Sequence, residues 1–175
     1  MSKKELIKIK YTKIKTNIYS YAVIALIIDQ IIKLIVSNHL TEFKEVTIIK
    51  NFFYLCYVHN TGAAFSILQN QKYLLIFIGL IALVLLDKYI TNLKEITKLE
   101  EISYSLIIGG IIGNLLDRIF YSSVIDYLLF KFGKFSYPIF NLADACIVVG
   151  IILLIIVYIK DMLKGDNHDS SRRKK

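Results

Sequence analysis

The stretch that decides the fold reads FNLADACIVVGIILLIIVYI over residues 140–159. After Asp144 it contains almost no polar side chain, and its length matches the roughly 20 residues that cross a hydrocarbon core about 30 Å thick. It therefore predicts a membrane helix with a carboxylate at its start. A second carboxylate, Asp126, stands a short distance upstream. Because an ionisable side chain at a bilayer is costly, both aspartates are candidates for a functional site.

Three more apolar stretches have the same length and character. The chain has 175 residues, of which 55% are hydrophobic, and its mean hydropathy is +0.55. The apolar runs are continuous rather than alternating, which favours helices over a membrane β-barrel. We expect an all-α membrane protein, one domain over residues 1–175, with four transmembrane helices over about 18–36, 73–90, 102–120 and 141–159.

The lysines and arginines predict the orientation of these helices. Fifteen of them lie before the first span, after the fourth, or in and beside the connection between the second and third spans, whereas only five lie in the two other connections. By the positive-inside rule both termini are therefore cytoplasmic, and the net charge of +8 is mainly a topology signal. The basic ends are not interleaved with aromatic residues, which favours contact with anionic lipid over a nucleic-acid partner. The polar tail from about 165 to 175 is expected to be disordered.

The two outer connections predict a small extracytoplasmic β-rich element. They cover about residues 37–72 and 121–140. Within them, Thr47–Ile49 and Phe52–Val58 are rich in β-branched and aromatic residues, which is typical of short strands, and Asn51 is a turn between them. Gly133 predicts a second turn between two further short strands. This element is too apolar for a free linker and should lie on the membrane surface or over the helix bundle.

The polar residues of the membrane segments gather at one depth. With both termini in the cytoplasm, the polar residues of the first, third and fourth spans fall towards the outer side, and two more lie in the outer connections. They are Asp29, Lys33, Asn60, Asn114, Asp117, Arg118, Asp126, Asn141 and Asp144. Structural ion pairs that arose independently would have no reason to share a depth. The clustering therefore predicts one site near the outer membrane interface.

Helical spacing supports this interpretation. Asp29 and Lys33 are four residues apart with the acid first, the favourable order for an ion pair on a helix. One stripe of the third span contains Gly110, Asn114, Asp117 and Arg118. Such a stripe must face the interior of the bundle or water.

A simpler alternative applies to the residues on the first and third spans. In this alternative the charged pairs, Asp29 with Lys33 and Asp117 with Arg118, serve only to fix helix register, and the glycines serve only to permit close helix packing. The alternative is weaker for Asp126 and Asp144, because neither has a cationic residue three or four positions away.

Five short motifs follow one another along the chain. They are DQIIK at 29–33, NTGAAF at 60–65, GGIIGNLLDR at 109–118, VIDY at 124–127 and FNLAD at 140–144. Any one of them would be weak, but together and in this order they resemble the bacterial lipoprotein signal peptidase family (signal peptidase II). The resemblance covers about residues 29–159. The departures are a longer basic leader and the presence of Ile125 and Tyr127 where Val and Phe are more usual.

The resemblance implies an intramembrane aspartyl endopeptidase of the bacterial plasma membrane, without a metal or other cofactor. The implied substrate is a prolipoprotein whose cysteine already carries a diacylglyceryl group, and the cut falls just before that cysteine. The family's catalytic pair carries over to Asp126 and Asp144. Residues that line or support its site carry over to Asn60, Gly62, Ala64, Gly110, Asn114, Asp117, Arg118 and Asn141, and its first-span motif to Asp29 and Lys33.

Two neighbouring carboxyl groups can cleave an amide without a covalent intermediate. Their mutual repulsion leaves a single proton on the pair near neutral pH, so that one group can act as base and the other as acid. Asp144, in the first turn of the last helix, is the expected base because the helix dipole favours its ionised form. Asp126 is then the expected acid.

Two other classes of protein also place carboxylates in membrane helices. A transporter or proton channel would put them near the midplane, often with internal repeats, and a scaffold would not depend on them for any reaction. The three histidines, His39, His59 and His168, show no metal-ligand spacing. We expect a monomer in a phospholipid bilayer.

Overall fold

Four long helices and one small sheet make up the chain in a computed structural model that describes residues 3–63, 67–93 and 96–172. The elements are α1 (Lys3–His39), β1 (Glu45–Ile49), β2 (Phe53–Asn60), α2 (Lys72–Asn92), α3 (Lys98–Tyr121), β3 (Val124–Phe132), β4 (Phe135–Ser136) and α4 (Leu142–Arg172). Each helix contains a segment long and apolar enough to cross a membrane. The predicted fold class, four membrane helices with a small β-rich element, is confirmed.

The end of the chain differs from the expectation. The predicted disordered tail begins at about residue 165, but α4 continues as a helix to Arg172. Extending an existing helix is far easier than starting one, since each added residue gains a hydrogen bond without a new nucleus. The polar composition that indicated disorder therefore does not end the helix at the end of the apolar run.

Helix α3 forms the centre of the bundle, between α1 and α4. Two adjacent glycines face these two neighbours. A Cβ atom on Gly109 would come within 2.6 Å of the carbonyl oxygen of Ala22 on α1, and one on Gly110 would overlap the carbonyl oxygen of Ala143 on α4. Small residues at these positions let the helix backbones approach closely, which is how membrane helices pack without a hydrophobic driving force.

The two outer connections meet in a single antiparallel sheet with the strand order β1-β2-β3-β4. Asn51, with a φ of 63°, forms the predicted turn before β2, and Gly133, with a φ of 61°, forms the turn between β3 and β4. The register pairs Val58 with Asp126 and Asn60 with Val124. The pairing of β2 with β3 therefore brings Asn60 and Asp126 together, although they lie in different connections.

Two apolar clusters lie at different levels of the molecule. The first contains Ile18, Ile90 and Tyr104, where α1, α2 and α3 meet at the end remote from the sheet. The second contains Val36, Ile125 and Tyr127, where the end of α1 meets β3. Between the two clusters, at the sheet end of the helices, most of the buried side chains are polar, and this layer contains the candidate site.

Candidate active site

Asp126 lies on β3 and is almost completely buried, with 2% of its surface exposed. Each of its carboxylate oxygens accepts a hydrogen bond from an asparagine amide. The Nδ2 atom of Asn141 donates to Oδ1 at 2.7 Å, and the Nδ2 atom of Asn60 donates to Oδ2 at 2.9 Å. Two different segments therefore hold this carboxylate, one from the neighbouring strand β2 and one from the start of α4.

Asp144 lies in the first turn of α4, and Asn141 precedes that helix. The Oδ1 atom of Asn141 accepts from the backbone N–H of Asp144 at 2.9 Å, while the carboxylate of Asp144 accepts from the backbone N–H of Asn141 at 3.3 Å. This is the reciprocal arrangement of a capping box, with Asn and Asp in the two positions. The signal that starts α4 is therefore made partly by the carboxylate itself.

Asn114 on α3 holds the other oxygen of Asp144. Its Nδ2 atom donates to Oδ1 of Asp144 at 2.7 Å. Its own Oδ1 atom accepts from Nδ2 of Asn141 at 3.1 Å. Since Asn141 also donates to Asp126, the two aspartates are joined through the side chains of two asparagines.

The two aspartates line one cavity of about 940 Å³. The polar part of its wall includes His59, Asn60 and Thr61. The apolar part combines aromatic side chains of the sheet with α4, and contains Phe52, Phe130, Phe132, Tyr137, Phe140, Ile147 and Val148. The cavity thus offers a polar end with two carboxyl groups and a long apolar wall.

Burial and the neighbouring carboxylate change the acidity of Asp126. Burial has the larger effect, the charge of Asp144 adds to it, and together they raise the pKa of Asp126 from 3.8 to about 7. Asp126 can therefore hold a proton near neutral pH while a second carboxylate stands on the same cavity. Such a pair is able to give and take protons in one reaction.

A buried ion-pair network lies behind the aspartates. The Nζ atom of Lys33 is 2.8 Å from Asp29 and 2.8 Å from Asp117, and all three side chains are at most 2% exposed. Asp29 also accepts from the backbone N–H of Ala143 at 2.9 Å, and Asp117 from that of Ile125 at 3.3 Å. The network thus connects α1 and α3 to the residues next to Asp144 and Asp126.

The predicted pair of Asp29 and Lys33 is present, but Asp117 does not pair with Arg118. Asp117 pairs instead with Lys33 on α1. Arg118 donates to the carbonyl oxygen of Gly62 at 2.8 Å and to that of Asn114 at 3.2 Å. Adjacent residues on a helix point in different directions, so these two charged side chains serve separate neighbours.

The segment after β2 is held over the site by Asn60 and Arg118. The Oδ1 atom of Asn60 accepts from the backbone N–H of Gly62 at 2.9 Å, and Arg118 bonds the carbonyl of the same glycine. Ala64, which the resemblance also assigned to the site, lies outside the described residues. Gly110 does not touch the cavity, and its role is the close approach of α3 to Ala143.

Sequence reasoning missed two polar residues near the site. Gln30 donates to Asp117 at 3.0 Å and, more weakly, to Asp29 at 3.3 Å. His59 on the cavity wall bonds Ser123 at 2.8 Å and Tyr57 at 2.7 Å. A polar residue inside an apolar span was the available signal for Gln30. No local pattern indicated His59, whose neighbours come from β2 and from the residue before β3.

The described residues contain no group of three or more His, Cys, Asp and Glu side chains placed to hold a metal ion. Their polar groups at the cavity are carboxylates with amide donors. The arrangement is suited to acid–base chemistry on a bound substrate.

A family comparison connects this geometry to known proteins. The model of the family described as signal peptidase (SPase) II matches residues 21–160. The chain belongs to the signal peptidase II family. The resemblance carried by the five motifs is thereby confirmed.

Named members and solved structures agree with this membership. The lipoprotein signal peptidase of Clostridium tetani is 41% identical over 140 residues, which cover 79% of this chain and 90% of that protein. That of Halothermothrix orenii is 38% identical, covering 85% and 99%. Two solved structures, each described as a bacterial membrane enzyme, superpose with TM-scores of 0.77 and 0.75 at 29% identity. They cover 85% and 84% of this chain, and 90% and 94% of their own chains.

Proposed function

We propose that this signal peptidase II removes the signal peptide from lipid-modified prolipoproteins, cutting just before the modified cysteine, with Asp126 and Asp144 as its catalytic pair. One observation supports the proposal above all others. Two carboxylates from distant parts of the chain line the same cavity and are connected through Asn141 and Asn114. An accidental pair of buried acids would not require a shared set of donors.

The two aspartates have different roles in the proposed reaction. Asp144 is the base, because Asn114, the backbone N–H of Asn141 and the helix N-terminus all favour its ionised form. Asp126 is the acid, since a pKa of about 7 leaves it protonated in weakly acidic conditions and about half protonated at neutral pH.

The proposed step adds water to the scissile carbonyl. Asp144 takes a proton from water as the oxygen attacks the carbonyl carbon, and Asp126 gives its proton to the carbonyl oxygen. In the second step Asp126 takes a hydroxyl proton back, Asp144 protonates the leaving nitrogen, and the C–N bond breaks. The pair returns to its starting state, and no covalent intermediate with the protein is needed.

The cavity supports a substrate with an extended peptide and a lipid. Its polar end holds the aspartates, whereas Ile147 and Val148 of α4 and Phe130 of β3 belong to its apolar wall. Val148 is 55% exposed, so the wall continues onto a surface that faces lipid in a membrane helix. We propose that acyl chains of the substrate follow this wall while the peptide bond next to the lipidated cysteine reaches the aspartates.

The orientation and assembly remain part of the proposal. The fifteen cationic residues of the ends and the loop between α2 and α3 support cytoplasmic termini. The site is then near the extracytoplasmic face of the bacterial plasma membrane. The catalytic residues all belong to one chain, which supports a working monomer.

A cleavage assay on a lipidated precursor tests the function. The full-length protein in liposomes should release signal peptide, whereas Asp126→Asn and Asp144→Asn should accumulate normally, keep the parent's thermal unfolding midpoint within a few degrees, and leave the precursor uncut. Asp161→Asn is the matched control, because it makes the same change at an exposed position of α4 that does not line the cavity. Parental cleavage by either dyad variant would overturn the assignment of the pair.

A further inference from the structure

Asn114 can hold Asp144 correctly in only one of its two amide orientations. Its oxygen accepts from Nζ of Lys33 at 3.1 Å and from Nδ2 of Asn141 at 3.1 Å, while its nitrogen donates to Asp144. A rotation of the amide by 180° would turn its NH₂ group towards an ammonium and another NH₂ group. It would also turn its oxygen towards the carboxylate of Asp144. Neighbours on both sides therefore select the observed orientation.

Lys33, the cation that selects this orientation, uses all of its hydrogen-bond donors. An ammonium has three donors, and Lys33 has three acceptors within 3.1 Å: Asp29, Asp117 and the oxygen of Asn114. Lys33 is 2% exposed and does not line the cavity. Of the three side chains that Lys33 bonds, Asn114 is the one whose own side chain also bonds an aspartate of the pair.

We propose that Lys33 is a positioning residue for peptide-bond cleavage, which fixes the side-chain amide of Asn114 so that its N–H groups face Asp144. This inference rests on the proposed catalytic pair. In the same orientation the oxygen of Asn114 accepts a hydrogen bond from Asn141, which in turn donates to Asp126. One buried cation thereby sets the donors of both carboxylates.

Gln30 provides a comparison within the same network. It also donates to Asp117 and Asp29, so it shares the structural role of Lys33, but its bonds do not include Asn114. If the network only held the helices together, the loss of either residue would change stability and leave the catalytic constant of the folded enzyme alone. A positioning role for Lys33 predicts that the two residues differ in kcat.

The test compares Lys33→Met/Asp117→Asn with Gln30→Leu in liposomes. The first variant removes one cation and one anion together, so the net charge of the network stays the same, and Asp29 is the charge that remains. Its kcat should fall about tenfold or more, the factor that corresponds to the loss of one net hydrogen bond, while KM stays within about twofold. Gln30→Leu should have a lower unfolding temperature with kcat close to that of the parent. Equal kcat in the two folded variants would overturn the proposal.

A double-mutant cycle with Asn114→Leu separates positioning from general support. In the Asn114→Leu background, Lys33→Met/Asp117→Asn should cause no further loss of kcat, since the amide that Lys33 orients is gone. A loss of the same factor in both backgrounds would contradict the proposal. Single-turnover measurements with enzyme in excess give a rate even for variants slowed about 10³-fold, the largest loss expected for one missing donor.

The controls distinguish failure of the proposed function from failure of the positioning role of Lys33. If the Met variant does not accumulate, Lys33→Leu/Asp117→Asn, which also lacks a donor to Asn114, takes its place in the same cycle with the same criterion. If the parent fails to cut the precursor, or if Asp126→Asn and Asp144→Asn still cut it, the proposed function fails. If only the Lys33 coupling is absent, the function stands and the positioning role fails.

Discussion

Helices α2 and α3 are both long enough to span a membrane, yet they occupy opposite environments. In the apolar window of α2, 6% of the residues are buried within the protein and the mean hydropathy is 2.2. In that of α3, 61% of the residues are buried and the mean hydropathy is 1.3. The less hydrophobic helix is therefore the one at the centre. In a soluble protein the order would be the reverse.

The bilayer explains the difference. Lipid tails are as apolar as leucine, so an apolar helix gains little by leaving lipid for the protein interior. Polar side chains gain a great deal, because Asn114 and Asp117 find partners only inside the bundle. Polar contacts and close packing at glycine thus decide which helix is central, and that helix, α3, contributes Asn114, which donates to Asp144.

The largest effect on cleavage is expected from a substitution at the start of α4. Asn141→Ala removes donors to Asp126 and Asn114 together with the cap of the helix. We expect kcat to fall about 10²–10³-fold, as for the loss of a donor in other active sites, and the free energy of unfolding to fall by about 1 kcal/mol. Cleavage kinetics and thermal unfolding in detergent measure the two effects.

The matching residue of α2 is Gln71, whose side chain makes no capping hydrogen bond. Gln71→Ala should change neither quantity. A similar loss in both variants would mean that the start of α4 has no special connection to the reaction.

Close packing at glycine should distinguish the same two helices. On α3, Gly110→Ala would force a methyl group against the backbone carbonyl of Ala143, next to Asp144. A displacement of about 1 Å near a reacting group can slow a reaction about 10²-fold, so we expect a loss of that size. On α2, Gly79→Ala would meet only the side-chain end of Leu115, at 2.7 Å, which can rotate away. Its cleavage rate should remain close to that of the parent, and an equal loss in both variants would contradict this account.

The pH dependence of cleavage tests whether the reaction uses a proton held by Asp126. Since the pKa of Asp126 is about 7, cleavage should decline as the pH rises through about 7, by up to about tenfold per unit well above it. The folded protein holds this proton more tightly than the unfolded chain, in which the pKa of the same carboxyl group is 3.8. The associated stability is therefore present in full below about pH 4 and is lost as the pH rises through about 7.

Asp126→Asn provides the control for this linkage. The variant should show a flatter dependence of unfolding temperature on pH than the parent between about pH 4 and 7. Asp161→Asn, which changes an exposed carboxylate, should keep the parental dependence. An unchanged slope in Asp126→Asn would mean that another group accounts for the titration.

The sequence predicted the membrane helices and the depth of the polar residues because hydropathy and helical spacing are local properties. It could not predict the pairing of β2 with β3, which joins residues far apart in the chain and depends on which strands meet. Asn60 was therefore assigned to the site by its depth and by the family motif, but its partner was not predicted. Its bond to Asp126 is a consequence of the sheet register.

The partner of Asp117 was also beyond local reasoning. Its neighbour Arg118 was the obvious cation in the sequence, but the actual partner, Lys33, lies on another helix. Helix α1 approaches α3 closely because Gly109 leaves room for Ala22. The glycine spacing was visible, yet it did not reveal which neighbour would use the room.

The smallest expected effects come from α2 itself. Within the described residues of this helix only Ile90 is buried, at 1% exposure, and it packs in the cluster with Ile18 and Tyr104. Ile90→Ala should lower the free energy of unfolding by about 2 kcal/mol or more, as in other cores. Leu85 is 61% exposed and faces lipid in the membrane. Leu85→Ala should therefore change the free energy of unfolding by less than about 0.5 kcal/mol. Neither variant should change kcat, because α2 contributes no side chain to the cavity wall. Unfolding and cleavage measured on the same preparations decide the point. A large effect of Leu85→Ala on either would show that the exposed face of α2 contacts something other than lipid.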